Sequence, residues 1–465
     1  MTTTPTAATA ETSALRPIAH FTAQNTWLND PNGLLYHDGI YHLFFQTNPH
    51  GSTWGNISWG HATSTDLVTW AEQDIAIPHT DEEMAFSGSA VVDVRNTAGF
   101  AAAGQTALVA IYTSASPSRE ERPASQAQSL AFSLDCGATW TRYAGNPVLD
   151  IGSDEFRDPK VFWYGGDDGH WVMVAVEALA RRAVVYTSPD LITWSHASYF
   201  GPAHAIDGVW ECPDLFRLAV SGTDETRWIL VVSMNPGGIA GGSGTQYFVG
   251  DFDGNTFTPD QLSDSTDPAD YDWLDYGRDY YAAVSFNNVP DDRRLMIGWA
   301  SNWDYANDTP THPWRSAMSL VREVTLIRCT DGRLRLTQRP VVPLEQSDLK
   351  VFELSVPCGP GDRNAVILSG GNAERLVITV DGDDRSITCD RTQSGATAFH
   401  ADFPSVDWAP LPVGTANALD LLIVVDAMIV EIYAGGGLVT LTEQVFPIEP
   451  LTTLHLESRA GSVPR

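Results

Sequence analysis

The sequence predicts an all-β protein in which a β-propeller precedes a β-sandwich. Three observations lead there: short β-rich runs between turn signals, one hairpin motif that recurs four times, and the loss of that motif before about residue 340 while the β character persists. The runs are Tyr41–Gln46, Ala107–Tyr112, Trp171–Val176, Trp228–Ser233 and Arg294–Ala300, and few stretches hold a helical period.

The recurring motif first appears as Ser64-Thr-Asp-Leu-Val-Thr-Trp70. It returns as Ser133-Leu-Asp-Cys-Gly-Ala-Thr-Trp140, as Ser188-Pro-Asp-Leu-Ile-Thr-Trp194 and, degenerate, as Asp251-Phe-Asp-Gly-Asn-Thr-Phe257. Its aspartates 66, 135, 190 and 253 are 69, 55 and 63 residues apart, and a short β run precedes each copy. A strand, a tight Asp turn and a strand opened by an aromatic residue make a hairpin. A hairpin repeated every ~60 residues suits propeller blades of four strands with long loops. Gln338-Arg-Pro-Val-Val-Pro343 reads as the exit from the repeats. Beyond it, Val351–Val356, Ala365–Leu368, Leu376–Val380 and Ala418–Tyr433 read as strands of a sandwich. The expected division is a disordered segment 1–17, a propeller 18–340, a linker 341–350 and a sandwich 351–465.

Lys and Arg number 27 against 58 Asp and Glu, a net charge of −31. Such a chain repels phosphate backbones and anionic lipid heads, so neither nucleic acid nor a membrane is an expected partner. The five cysteines are scattered with no CxxC pair, which argues against a zinc ribbon or a disulfide scaffold. Residues 1–15 carry no basic, apolar leader, and the longest apolar run, Leu421–Val430, is too short for a span of ~20 residues. The expected location is cytoplasmic, or secreted if a leader has been removed. Oligomeric state is not legible.

Three clusters could carry chemistry. Trp27-Leu-Asn-Asp-Pro-Asn-Gly33 sets Asn29 and Asp30 before a proline that fixes a turn; an Asx-turn would use the same residues. Phe156-Arg-Asp-Pro-Lys160 again puts an acid before proline, beside an arginine; a surface ion pair at a turn would look alike. Trp210-Glu-Cys-Pro-Asp-Leu-Phe216 flanks Glu211 with apolar residues, and desolvation raises a carboxyl pKa, as a general acid requires. A strand-edge glutamate in a surface loop is the alternative. A propeller brings the first strands of its blades to one axis, so Asp30, Asp158 and Glu211 can converge there. Two carboxylates facing one bond are the machinery of glycoside hydrolysis. Trp54, Trp59, Trp299, Trp303 and Trp314 could offer flat faces to sugar rings, or be ordinary core.

These segments, with LFFQTNP (43–49), WGNISWGHA (54–62), FSGSAV (86–91), GTQYFVGDFDG (244–254), DYYAA (279–283), GWASNWDY (298–305) and PWRSAMSLVRE (313–323), resemble glycoside hydrolase family 32, the invertases, inulinases and levanases. In the tail, DRTQSG (390–395) and VDAMIVEIYAGGG (425–437) look like its C-terminal sandwich, and the resemblance covers about residues 18–455. It implies a five-bladed propeller plus sandwich. Asp30 matches the nucleophile, Glu211 the acid/base and Asp158 the acid that holds fructose hydroxyls and stabilises the transition state. Asn29, Gln46, Trp54, Phe86, Ser87, Arg157 and Trp299 match positions lining the fructose pocket. The motifs look closest to the exo-inulinase and levanase branch. Residues Ser458–Arg465 depart from the pattern, ending before the family's last strand.

The resemblance implies a retaining, exo-acting β-fructofuranosidase that takes terminal fructose from oligo- or polysaccharides, with no cofactor and no metal. Retention requires a carboxyl separation of roughly 5–5.5 Å. A fructosyltransferase would use the same residues with a sugar as acceptor. An inverting arabinan-type hydrolase and a non-catalytic fructan-binding protein are the rivals from further away; the intact acids argue against the latter.

Overall fold

A computed structural model describes residues 14–119, 123–342, 349–415 and 417–460. Twenty strands build five four-stranded antiparallel sheets in chain order. The first is β1 (Trp27–His37), β2 (Ile40–Asn48), β3 (Ser58–Ser64) and β4 (Ala71–Ile77). The second is β5 (Met84–Asp93), β6 (Ala107–Ser116), β7 (Ser125–Ser133) and β8 (Thr141–Arg142). The third is β9 (Phe156–Tyr164), β10 (His170–Glu177), β11 (Arg182–Ser188) and β12 (Ser195–Phe200). The fourth is β13 (Val209–Ala219), β14 (Thr226–Asn235), β15 (Gly244–Phe252) and β16 (Phe257–Pro259). The fifth is β17 (Tyr281–Ser285), β18 (Leu295–Trp299), β19 (Arg322–Arg328) and β20 (Leu334–Pro340). The first strands pack on one another in a ring: β1 on β5, β5 on β9, β9 on β13, β13 on β17 and β17 on β1. This is a five-bladed propeller.

The five β runs legible in the sequence all belong to the second strands of the blades, β2, β6, β10, β14 and β18. Neighbouring blades cover these strands on both faces, so they read as continuous apolar runs. The outer strands β4 and β12 are largely exposed and read weakly. The recurring motif joins third strand to fourth. Asp66 Oδ1 accepts from the amides of Val68 (2.9 Å) and Thr69 (2.7 Å), and Asp190 repeats this with Ile192 (2.9 Å) and Thr193 (2.6 Å). Asp135 and Asp253 close the corresponding turns of blades two and four. Blade five has an equivalent turn without the motif's Thr-Trp: between β19 and β20, Asp331 Oδ1 accepts from the Arg333 amide at 3.1 Å.

Nine strands follow: β21 (Lys350–Pro357), β22 (Asp362–Ser369), β23 (Arg375–Asp381), β24 (Ser386–Gln393), β25 (Val406–Pro410), β26 (Ala418–Asp426), β27 (Ile429–Ala434), β28 (Val439–Gln444) and β29 (Thr453–Ala460). They form two sheets, ordered β21-β26-β27-β28 and β25-β24-β23-β22-β29. Ser458–Ala460, the start of the segment expected to depart from the pattern, belong to β29, which pairs with β22 from Ser369↔Thr453 to Asp362↔Ala460. Most of the expected linker, 343–348, and residues 1–13 of the expected disordered segment lie outside the described residues. Arg16, within that segment, is held: its guanidinium lies 4.5 Å from the Trp314 ring centroid and donates to Thr22 Oγ1 at 2.6 Å. No helix among the described residues is long and apolar enough to cross a membrane.

One apolar core runs from Val174, Trp210 and Phe248 of the propeller into Ile378, Leu421 and Ile432 of the sandwich. Beside it lies a buried charged seam. Arg322 pairs with Asp275 at 2.8 Å and Glu431 at 3.1 Å, and His20 touches Asp426 at 2.8 Å and Glu431 at 3.2 Å. Asp426, the acid that interrupts the apolar run 421–430, also accepts from the amides of Ile18, Ala19 and His20 at 2.8–3.0 Å. It thereby ties the N-terminal segment to the sandwich.

Burial alone would lower the His20 pKa, but its hydrogen bonds and the charges of Asp426 and Glu431 push it up to about 9. Burial would raise Glu431, but Arg322 and His20 hold it down to about 2. The His20 contribution to stability is complete below its ordinary value of 6.5 and is lost as pH rises through about 9. That of Glu431 is complete above 4.5 and is lost as pH falls through about 2. The seam is therefore strongest between pH 4.5 and 6.5. Melting temperatures of the wild type and of His20→Gln across pH 4–10 check this. The wild type should lose stability above neutrality, and His20→Gln should flatten that limb; an unchanged alkaline limb would refute the role of His20.

Candidate active site

Each of the five first strands is bulged at the same end of the axis. The ladder breaks at Asn29-Asp30 in β1, Ser87 in β5, Asp158-Pro159 in β9, Cys212-Pro213 in β13 and Ala282-Ala283 in β17. The acid motifs expected as turns are thus interior to strands. Proline is tolerated there because a bulge leaves its missing N–H unneeded. Asp158 (φ 62°), Cys212 (φ 46°) and Ala282 (φ 52°) adopt left-handed backbone. Such conformations cost roughly 1–3 kcal/mol each and persist only where the surroundings enforce them. At Asp158 the enforcement is visible: its amide donates to Thr113 Oγ1 at 2.9 Å, and Thr113 in turn donates to Gln128 at 3.1 Å.

The bulges turn one side chain from every blade toward the axis: Asp30, Ser87, Asp158, Glu211 and Tyr281. Asp30 accepts from Asn29 Nδ2 at 3.0 Å on one oxygen and from Ser87 Oγ at 2.6 Å on the other. Gln46 donates to Ser87 Oγ at 2.5 Å and accepts from Asn29 at 3.3 Å, and Trp27 Nε1 donates to Asn29 Oδ1 at 2.7 Å. The Asp30 carboxyl plane is therefore fixed from both sides. Glu211 Oε1 is gripped by Arg157, Nε at 3.1 Å and Nη2 at 3.0 Å, and its Oε2 accepts from the Tyr281 hydroxyl. Arg157 is itself anchored to Glu155 at 2.6 Å. Asp158 Oδ2 accepts from the Cys212 amide at 2.9 Å. The Cys212 thiol sits between the two aspartates, 3.5 Å from Asp30 and 3.6 Å from Asp158.

The desolvation expected at Glu211 falls on its neighbours. Asp30 and Asp158 are 8% and 6% exposed, whereas the Glu211 side chain is 22% exposed at the pocket wall. Burial raises the Asp30 pKa, opposed by the Ser87 hydrogen bond and assisted by the Glu211 charge. Burial pushes Asp158 up to about 7, opposed by Arg157 and assisted by Glu211 and Asp30.

These groups form the floor of a pocket of about 370 Å³. Nine of the ten residues singled out from the sequence line it: Asn29, Asp30, Gln46, Trp54, Phe86, Ser87, Arg157, Asp158 and Glu211. Trp299 does not line it. It is fully buried one layer behind, donating to Ser316 Oγ at 2.5 Å and packing on Trp303 at 4.8 Å between ring centroids. Trp303, part-buried, lines the pocket instead, as does the half-exposed Trp54, while Trp59 and Trp314 are core. Gln126 and Glu155 also line the pocket. Tyr281 and Cys212 contact the acids although neither was singled out. The one-residue-per-blade rule would have found Tyr281, since blade five otherwise contributes nothing to the ring.

Residues 20–340 match the Glycosyl hydrolases family 32 N-terminal domain, and residues 336–464 match the Glycosyl hydrolases family 32 C terminal. The extracellular exo-inulinase of Aspergillus ficuum is 41% identical over 494 residues, spanning 95% of this chain and 91% of that protein. The levanase of Bacillus subtilis (strain 168) is 42% identical over 484 residues, spanning 96% of this chain and 69% of that protein. The crystal structure of exo-inulinase from Aspergillus awamori superposes with a TM-score of 0.86 at 38% identity, covering 96% of each chain. With both domain matches in order along the chain and the acids gathered at the propeller axis, this protein is a member of glycoside hydrolase family 32.

Proposed function

We propose that this glycoside hydrolase is a retaining, exo-acting β-fructofuranosidase that removes terminal fructose from fructans and short fructosides. The observation that carries the reading is the meeting of Asp30, Asp158 and Glu211, from blades one, three and four, on the floor of one pocket. In the first step an Asp30 oxygen attacks the anomeric carbon as the glycosidic C–O bond breaks, and Glu211 gives its proton to the leaving oxygen. In the second step Glu211 takes a proton from water, the water oxygen attacks the anomeric carbon, and Asp30 leaves as carboxylate. Asn29 and Ser87 hold the Asp30 oxygens, and Arg157 and Tyr281 hold those of Glu211. Asp158, buried on the floor, meets the ring hydroxyls. Hydroxyl donors arriving there favour its ionised form, which then faces the developing oxocarbenium charge.

The exo preference rests on the floor being closed. Beneath the aspartates lies Cys212. Further along the axis the Lys160–Asp214 pair at 3.3 Å and the Asn287 amide, donating to the carbonyls of Ala90 at 2.8 Å and Val161 at 3.1 Å, fill the channel. A blind pocket admits a chain end and excludes a chain middle. Incubation with sucrose, kestose, levanbiose, inulin and levan tests the activity. Time-resolved chromatography of the inulin and levan digests tests the mode. Free fructose should appear from the first turnovers; early oligosaccharides without fructose would overturn the exo assignment, and no fructose from any of these substrates would overturn the activity.

A further inference from the structure

The acid-bearing motifs continue past the active site. Lys160 ends the FRDPK segment and Asp214 closes WECPD, and neither touches the sugar pocket. Both lead to a second cavity at the other mouth of the propeller axis, about 390 Å³ in volume. Its lining takes later residues of the same inner strands, down to Arg217, six residues beyond Glu211 and roughly 20 Å further along β13. Its volume is in the range of small-molecule sites.

The charge of this cavity is opposite to that of the protein. Its lining includes Lys160, Arg95, Arg217 and Arg294 and no acid, in a chain of net charge −31. Arg95 is paired with Asp167 at 3.0 Å. Lys160 and Arg294 share one buried acid: Asp214 lies 3.3 Å from Lys160 Nζ and is the acid whose charge acts on Arg294. Arg294 has no ion pair of its own among the described residues. Its Nη1 reaches Ser285 Oγ at 3.3 Å and the Phe286 carbonyl at 3.5 Å, while its buried Nε has no acceptor. Arg217 likewise has no ion pair among the described residues. Three cations against one carboxylate leave two positive charges uncompensated. Arg217 is solvated, but Arg294 is part-buried with no ion pair, which is costly, and an incoming anion removes that cost.

The aromatic walls complete the chemistry. The Arg294 guanidinium lies 4.9 Å from the Phe216 ring centroid and that of Arg95 lies 4.7 Å from Trp163. Phe162 and Trp228, 5.6 Å apart between centroids, line the same cavity and are half-buried. Guanidinium forks match phosphate oxygens, and a surplus of two positive charges matches a phosphate dianion rather than a single carboxylate. We propose that the lower mouth of the propeller is a second ligand site for an organic phosphate, its oxyanion held by Arg217 and Arg294 and its planar ring packed on the aromatic wall.

Calorimetric titration of the full chain at low ionic strength tests this with magnesium-free ADP, pyrophosphate and adenosine. ADP should bind saturably at one site, pyrophosphate more weakly and adenosine not measurably. Arg217→Glu changes only an exposed side chain, so it should keep the wild-type melting temperature and weaken ADP by about tenfold or more. Arg294→Gln should weaken it similarly. Absence of saturable ADP binding, pyrophosphate binding as tightly as ADP, or ADP affinity unchanged in Arg217→Glu would each overturn the assignment.

Discussion

Asp30→Asn is expected to lower turnover of sucrose or inulin by about 10⁴-fold or more, with a melting temperature at or above that of the wild type. The two results have one cause. The amide matches the carboxylate in shape and still offers an oxygen to the Asn29 amide, while Ser87 can accept from the new NH₂ group. It has no anionic oxygen with which to form the fructosyl-enzyme. The wild-type carboxylate is also an expense to the fold, since burial and the Glu211 charge both disfavour its ionised form. Removing that charge should not destabilise the protein. Circular dichroism with thermal melting, run beside an initial-rate assay, separates the effects. Substantial residual activity would refute Asp30 as nucleophile, and a collapsed fold would refute the account of its environment.

Glu211→Ala should separate substrates by their leaving groups. Protonation of a sugar leaving group is worth about 10²–10⁴-fold, so turnover of sucrose should fall by that amount. An aryl fructoside that departs without a proton should form the fructosyl-enzyme at nearly the wild-type rate and then stall, because water has lost its base. Azide needs no deprotonation, so it should restore turnover on the aryl substrate and yield a β-fructosyl azide with retained configuration. Arg157 keeps Glu155 at 2.6 Å and Gln126 at 3.2 Å in the variant, so the pocket wall should persist. Equal losses on both substrate kinds, with no azide product, would remove Glu211 from the acid/base role.

The three acids that meet in the pocket were legible as candidates because each sits in a segment of unusual local composition. Asn-Asp-Pro, Arg-Asp-Pro and Glu-Cys-Pro place an acid one or two residues before a proline within an otherwise apolar strand, and the propeller repeat then implies that they meet. Their local geometry was not legible. A proline after an acid reads as a turn, and only pairing with β2, β10 and β14 shows each segment to be a bulged strand. The positions of tryptophans were equally hidden. Trp299 and Trp303 lie four residues apart in one motif, yet one is sealed against Ser316 and Trp27 while the other faces the pocket.

The sequence by itself determined the strand content, the blade repeat, the change of architecture near residue 340 and which three acids could meet at the axis. Those properties depend on local composition and spacing, which a chain carries before it folds. Tertiary structure decided which carboxyl is most desolvated, that Tyr281 donates to Glu211, and that Cys212 separates the two aspartates. It also decided that Lys160 and Asp214 meet beneath the floor and that Asp426 captures the amides of residues 18–20. Each of these contacts joins residues 54 to 408 positions apart. Burial and electrostatics at such a contact depend on what closes over it from another blade or domain, and no local pattern in the chain encodes that.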